Sequence, residues 1–154
     1  KTEDYRREML GQSNFARETP KHMHETRYRT AALANGVAVV TRDLHAKMIV
    51  IWSQGGGGAR YLSQHRPTVP IIAFTSDHRA ARRMGLMYAV QPVVRTPPQY
   101  IEQFVAEADD DLRAHDWGGQ GDPVVFVVGS PIGTEGVTNK LRIHYLGDIC
   151  RVEW

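Results

Sequence analysis

The sequence predicts a three-layer α/β/α domain, and three observations carry that expectation. Short apolar runs recur at Met48–Trp52, Val69–Phe74 and Val124–Val128, with a further short strand fitting Val90–Val94. Continuous apolar runs of this length suit strands buried on both faces of a sheet. Between them lie stretches with apolar residues at helical spacing, and that alternation implies parallel βα units. The last stretch changes period. Leu141, Ile143 and Tyr145 alternate with Arg142 and His144, the mark of a half-exposed edge strand. The turn before it is too short for a crossover helix, so this strand should run antiparallel.

Taken in order, the chain divides near residue 30. Twelve of the first 29 residues are charged. This arm, residues 1–29, reads as a short helix around Asp4–Ala16 followed by a linker, and residues 30–154 form the domain. Leu33, Val37, Val40 and Leu44 place one apolar stripe on a helix over Thr30–Lys47. The strand Met48–Trp52 leads into Gly55–Gly58, then a helix over Ala59–His65 that ends at Pro67. After Val69–Phe74, a helix starts at Ser76 or Asp77 and covers His78–Leu86, packing through Ala80, Met84 and Met87 and carrying Arg79, Arg82 and Arg83. After Val90–Val94, Pro97 and Pro98 are expected to open a helix whose buried stripe is Ile101, Phe104, Val105, Ala108 and Leu112. Gly118–Gly121 end it before Val124–Val128, and the alternating strand occupies Lys140–Gly147.

Composition excludes several classes. A length of 154 residues fits about one domain, and 42% hydrophobic with 23% charged residues is ordinary for a globular fold rather than a disordered chain. A single cysteine, Cys150, excludes a disulfide framework and a thiolate metal cluster, and suits a reducing compartment. No apolar run approaches 18 residues, so no membrane span is expected. The opening KTEDYRREML lacks the apolar core of a signal peptide. Nineteen Lys and Arg against 17 Asp and Glu give a net charge of +2, too weak a bias for a nucleic-acid partner. The chain begins with Lys1 rather than Met, which points to a piece of something longer.

The one local motif with chemical content is Ser53–Arg60, SQGGGGAR, at a strand-to-helix junction. The first helical N–H groups there lack intrahelical partners, and the helix dipole is positive at that end. Glycines at Gly55, Gly56, Gly57 and Gly58 would let a phosphate oxygen reach the backbone, with Ser53, Gln54, Ala59 and Arg60 beside them. A tight turn that needs a positive φ explains the same glycines, and both readings stay open. A dinucleotide fingerprint would find its acidic residue at Asp77 but fails at its third glycine, where Arg60 or Tyr61 stands. A P-loop fails because no Gly-Lys-Ser/Thr follows.

Other chemistry is absent from the pattern. His22 and His24 have no third ligand at suitable spacing, and His45, His65, His78, His115 and His144 fall on helix ends or the exposed strand face. No metal site is expected. Cys150 has no histidine partner, Ser63 and Ser130 lack a nucleophile elbow, and Glu107, Asp109, Asp110 and Asp111 read as a solvated helix face. No catalytic constellation is visible.

Three segments carry a family resemblance. RYLSQHRPTVPIIAFTSD (Arg60–Asp77), AARRMGLMYAVQPVV (Ala80–Val94, with Ala89 where glycine is usual) and GDPVVFVVGSPIGTEGVTNKLRI (Gly121–Ile143) resemble, in order and spacing, the carboxy-terminal domain of pyruvate kinase. The resemblance runs from about Arg29 to Asp148. It implies a five-stranded mixed sheet in a three-layer α/β/α domain, with the last strand antiparallel. It also implies a cytoplasmic parent enzyme that transfers phosphoryl from phosphoenolpyruvate to ADP in glycolysis, using Mg²⁺ and K⁺. That chemistry belongs to a preceding barrel, which needs at least about 200 residues, so the present chain by itself is expected to be inactive and to need no cofactor.

What the resemblance assigns to this domain is subunit contact in a homo-oligomer and, in many members, an allosteric sugar-phosphate site. The effector phosphate would lie in Ser53–Arg60, closed by a turn containing Ser130, Gly133, Thr134, Gly136 and Thr138. The matching loop here has lost most of the family's hydroxyl donors, which leaves backbone N–H groups, Ser53, Gln54 and Arg60 to hold a phosphate, sulfate or sugar phosphate. Arg113 falls near a position that contacts a second phosphate in some members. The alternative is a stand-alone small-ligand or nucleotide-binding module, and a third reading is a structural dimerisation module that meets its partner through Lys140–Gly147.

Overall fold

The computed structural model describes residues 25–129, 131–136 and 138–148. The expected helix Asp4–Ala16, His22, His24, Ser130 and Cys150 lie outside the described residues. Among the described residues, nine elements follow in order: α1 (Glu25–Asp43), β1 (Met48–Trp52), α2 (Gly57–Gln64), β2 (Ile71–Thr75), α3 (His78–Met84), β3 (Val90–Val94), α4 (Ile101–Ala114), β4 (Pro123–Gly129) and β5 (Thr138–Tyr145).

The strands form one five-stranded sheet in the order β3-β2-β1-β4-β5. β1 pairs in parallel with β2 and with β4, and β2 in parallel with β3. β5 is antiparallel to β4, as the short turn before it predicts, with Val125 opposite Ile143. The uninterrupted apolar runs of β1 and β2 are buried at every position. β3 tolerates Pro92 because it pairs only with β2, and an edge strand has no need of that residue's missing N–H.

Alternation divides the core into two layers. Met48, Val50 and Trp52 of β1 join Phe74, Val124 and Phe126 against Phe104, Val105, Ala108 and Leu112 of α4. Ile49 and Ile51 join Ile71, Ala73, Val125 and Val127 against α1, α2 and α3, through Ala34, Val37, Ala59, Leu62, Ala80 and Met84. The result is the three-layer α/β/α arrangement. No helix among the described residues is long and apolar enough to cross a membrane.

The helix boundaries differ from the sequence expectation, α3 for one ending at Met84 rather than Leu86. α1 spans Glu25–Asp43 rather than Thr30–Lys47, because His45 adopts φ 52° and ends the helix before the chain enters the sheet at Lys47, whose N–H donates to the Pro123 carbonyl at 2.8 Å. α2 starts at Gly57 instead of Ala59. Its turn closes at Gly56 in the left-handed region, so the next two glycines are already helical. Pro97 and Pro98 precede α4 rather than opening it, since Pro98 disfavours a helical backbone at Pro97, and the helix begins at Ile101.

Candidate functional site

The sheet order places β1 beside β4, while the chain leaves β1 toward β2 on the other side. Loops at the carboxyl ends of two such parallel strands face each other across a crevice, where open α/β sheets commonly bind ligands. Here the two loops are Ser53–Gly56 after β1 and the turn 131–136 after β4. Between them lies a cavity of about 230 Å³. Ser53, Gln54, Gly55, Gly57, Gly58 and Arg60 line one wall. Gly133, Thr134, Gly136 and Thr138 line the opposite wall with Pro131, Ile132 and Glu135, and Arg27 and Thr30 of α1 complete the rim. Ala59 is buried in the core, and Gly56 forms the turn behind the wall.

The local structure follows from specific bonds. Gly56 takes φ 87° as the N-cap residue, a conformation that costs a residue with a Cβ about 1–2 kcal/mol. Its N–H donates to the Ser53 carbonyl at 3.3 Å, and its carbonyl accepts the Arg60 N–H at 3.0 Å. The buried Ser53 hydroxyl accepts the Ala59 N–H at 3.2 Å, so it caps the helix from six residues away. The first-turn N–H groups of Gly57 and Gly58 have no partner among the described residues and remain available to a ligand.

The Gln54 side chain is engaged in bracing the loop. Its Oε1 accepts from Trp52 Nε1 at 3.1 Å, its Nε2 donates to Ser76 Oγ at 2.6 Å, and its carbonyl accepts from Thr75 Oγ1 at 3.0 Å. Arg83 of α3 donates from Nη2 to the Gly55 carbonyl at 3.3 Å, which ties the neighbouring helix to the same loop. Arg60 is exposed, with its guanidinium 5.8 Å from the Tyr61 ring centroid. Arg113 is engaged elsewhere, on Asp109 and Asp110.

The four glycines differ in what they do. Gly56 supplies the positive φ. A Cβ on Gly58 would lie 2.8 Å from Ile51 Cδ1, and one on Gly55 would lie 2.9 Å from the Glu135 carboxyl carbon. Gly57 is different: a Cβ there meets nothing within 4 Å.

A second polar cluster corrects two expectations. Asp109 belongs to the acidic run read as a solvated face, and His144 was placed on the exposed side of the last strand. Both are buried, at 4% and 5% exposure. Nε2 of His144 donates to Asp109 Oδ2 at 2.5 Å, the Gly147 N–H donates to the same oxygen at 3.0 Å, and Arg113 Nε donates to Oδ1 at 2.6 Å. The His144 ring also sits edge-on to Phe126 at 5.5 Å. Burial pushes the Asp109 carboxyl up, but the bonds from His144, Gly147 and Arg113 outweigh it and hold the group below the usual carboxylate range. Ile143 and Tyr145, expected to be the inward residues, are 47% and 42% exposed on the opposite face. The helical period carried a signal for Asp109, which stands four residues after Val105 and three before Leu112, on the buried stripe.

Sequence reasoning also missed Glu135, Arg27 and Thr30 at the cavity. Arg27 and Thr30 come from α1, far away in the chain, and no spacing rule links them to the glycines. Glu135 stands beside Gly136, whose φ is 76°, in a turn whose shape no local pattern reveals.

A family model described as pyruvate kinase, alpha/beta domain, matches residues 31–144. The pyruvate kinase of Sporosarcina psychrophila is 30% identical over 120 residues, covering 78% of this chain and 20% of that protein. That of Lactobacillus delbrueckii subsp. bulgaricus is 29% identical over 119 residues, covering 77% and 20%. A Staphylococcus epidermidis pyruvate kinase is 33% identical over 121 residues, covering 76% and 20%. The chain spans about a fifth of the length of these curated relatives.

Proposed function

The chain belongs to the pyruvate kinase alpha/beta domain family, and on that premise we propose that it is the regulatory and oligomerisation domain of a pyruvate kinase, holding the phosphate of a small effector between Ser53–Arg60 and the facing turn. Phosphoryl transfer from phosphoenolpyruvate to ADP, with its Mg²⁺ and K⁺, is assigned to a barrel domain outside these residues. The described residues do not fit a metal centre, since no group of three or more His, Cys, Asp or Glu side chains is gathered as one needs. No step here runs through a metal. The exposed Ile143 and Tyr145 on edge strand β5 offer a surface for contact between subunits, and the single cysteine suits a reducing cytoplasm.

The observation that carries the effector site is Gly57. Glycine in a helix costs about 1 kcal/mol relative to alanine. Gly56 repays this with a positive φ, and Gly55 and Gly58 with close approaches, but nothing in the packing calls for glycine at position 57. Its missing side chain leaves open space where two unpartnered N–H groups face a cavity rimmed by Arg27 and Arg60. An oxyanion fits that vacancy by size and by charge.

The test is a titration of the 154-residue chain with inorganic phosphate, followed by amide shifts. We expect the Gly57 and Gly58 amides to move and to saturate. Gly57→Ala should abolish the shift at Gly58 while its Tm stays equal or rises. Unchanged shifts at tens of millimolar phosphate would overturn the site. The chain should form no pyruvate from phosphoenolpyruvate and ADP.

A further inference from the structure

The wall of the cavity opposite the glycines carries a carboxylate, an unexpected group for a site that binds anions. An ideal Cβ at Gly55 would stand 2.9 Å from Glu135 Cδ and 3.0 and 3.2 Å from its two oxygens. The carboxylate therefore lies flat against the Gly55 backbone, in a space that exists only because residue 55 has no side chain. Glu135 is exposed and makes no hydrogen bond or ion pair among the described residues, and the local field favours its charge at this place. The N-terminus of α2 carries partial positive charge, Arg60 and Arg27 line the same cavity, and Arg83 reaches the Gly55 carbonyl from behind.

We propose that Glu135 is the built-in counter-anion of this cavity, competing with an incoming anion and setting which charge the site accepts. The inference rests on the effector-site reading and deepens it. A ligand dianion placed at the Gly57 and Gly58 N–H groups meets twice the repulsion from Glu135 that a monoanion meets. The two carboxylate oxygens only accept hydrogen bonds, so the ligand class that suits them presents hydroxyl groups beside a single phosphate. Glu135 weakens the binding of a bare dianion such as sulfate more than that of a monoanion, and weakens most the binding of ligands that would place a second phosphate at Gly55. Glu135 is exposed and lies in a turn, so it can swing aside without disturbing the core.

The experiment measures binding of sulfate and of methanesulfonate, at constant ionic strength, by the Gly57 and Gly58 amide shifts. It uses the wild-type chain, Glu135→Gln, and the control Glu102→Gln, which removes an equal charge from α4 on the other side of the sheet. For charges roughly 5 Å apart in a watery site, removing one repulsion should tighten methanesulfonate about fourfold and sulfate about fifteenfold. Glu102→Gln should change neither by more than about twofold. Equal sulfate affinity in wild type and Glu135→Gln would overturn the role of Glu135 and leave the effector site standing. Equal gains in Glu135→Gln and Glu102→Gln would overturn it too, as an effect of net charge. If no form of the chain binds either anion, both the effector site and this inference fall.

Discussion

Among the described residues, α4 is the one helix on one face of the sheet, and its Phe104 is the hub of an aromatic cluster. Trp52, Phe74 and Phe126 meet that ring edge-on, with centroids 5.6, 5.5 and 5.7 Å away. The same helix reaches β5 through the buried Asp109–His144 bond. On the other face three helices approach closely over alanines, Ala34, Ala59, Ala73 and Ala80 among them. That closeness brings the start of α2 against Ile51 and Thr138 and shapes the cavity. Large rings and a neutralised ion cluster lock one face; small side chains on the other position a backbone turn with free N–H groups. The division separates the part of the domain that holds it together from the part that lines the cavity.

The largest expected effect breaks the aromatic face. Phe104→Ala should cost about 3–5 kcal/mol in urea unfolding, because three rings lose their shared partner and a cavity remains. A loss under about 1 kcal/mol would show that α4 does not anchor the core.

Asp109→Asn comes next, at about 3 kcal/mol or more, since it leaves Arg113 and the His144 and Gly147 donors without their carboxylate. This pair also sets a pH dependence. The native Asp109 carboxyl is held below its unfolded value, which is about 3.9. Its contribution is therefore complete above about pH 4 and declines as the pH falls toward the lowered native value, because the unfolded chain takes up a proton that the native state refuses. Melting curves between about pH 5 and pH 2 should show a steeper acid loss in wild type than in Asp109→Asn. Parallel curves would remove Asp109 as the source.

Smaller effects sharpen the cavity face. Gly58→Ala forces a Cβ against Ile51 and should cost about 1–3 kcal/mol. The neighbouring Gly57→Ala should instead stabilise by about 0.4–1 kcal/mol while blocking anions. Similar stability effects at the two positions would erase the distinction between a glycine needed for packing and one needed for space.

Much of the fold was legible in the residues. MIVIW and VVFVV read as buried strands because an uninterrupted apolar run has no polar face to turn outward. The period of two in the last strand identified an edge, and the short turn before it an antiparallel direction. Its facing was misread at the end, because alternation says which residues share a face and not which face is covered. α1 leaves Ile143 and Tyr145 uncovered, while α4 supplies a carboxylate that makes burial of His144 tolerable. The glycine turn was visible as a junction, yet the different duties of its four glycines depend on Met84, Ile51 and Glu135, which approach from elsewhere in the chain.

By itself, the sequence determined the family, the order of strands and helices, the antiparallel last strand and the place of the glycine turn. The family rests on the resemblance of three segments, and the others depend on local propensity, hydrophobic period and turn length, which act over a few residues. The tertiary structure alone decided that Asp109 and His144 are buried together, that Gly57 faces open space, and that Glu135 lies on Gly55. Each of those depends on contacts between residues tens of positions apart, where burial removes water and leaves only the neighbour to satisfy a charge or fill a space.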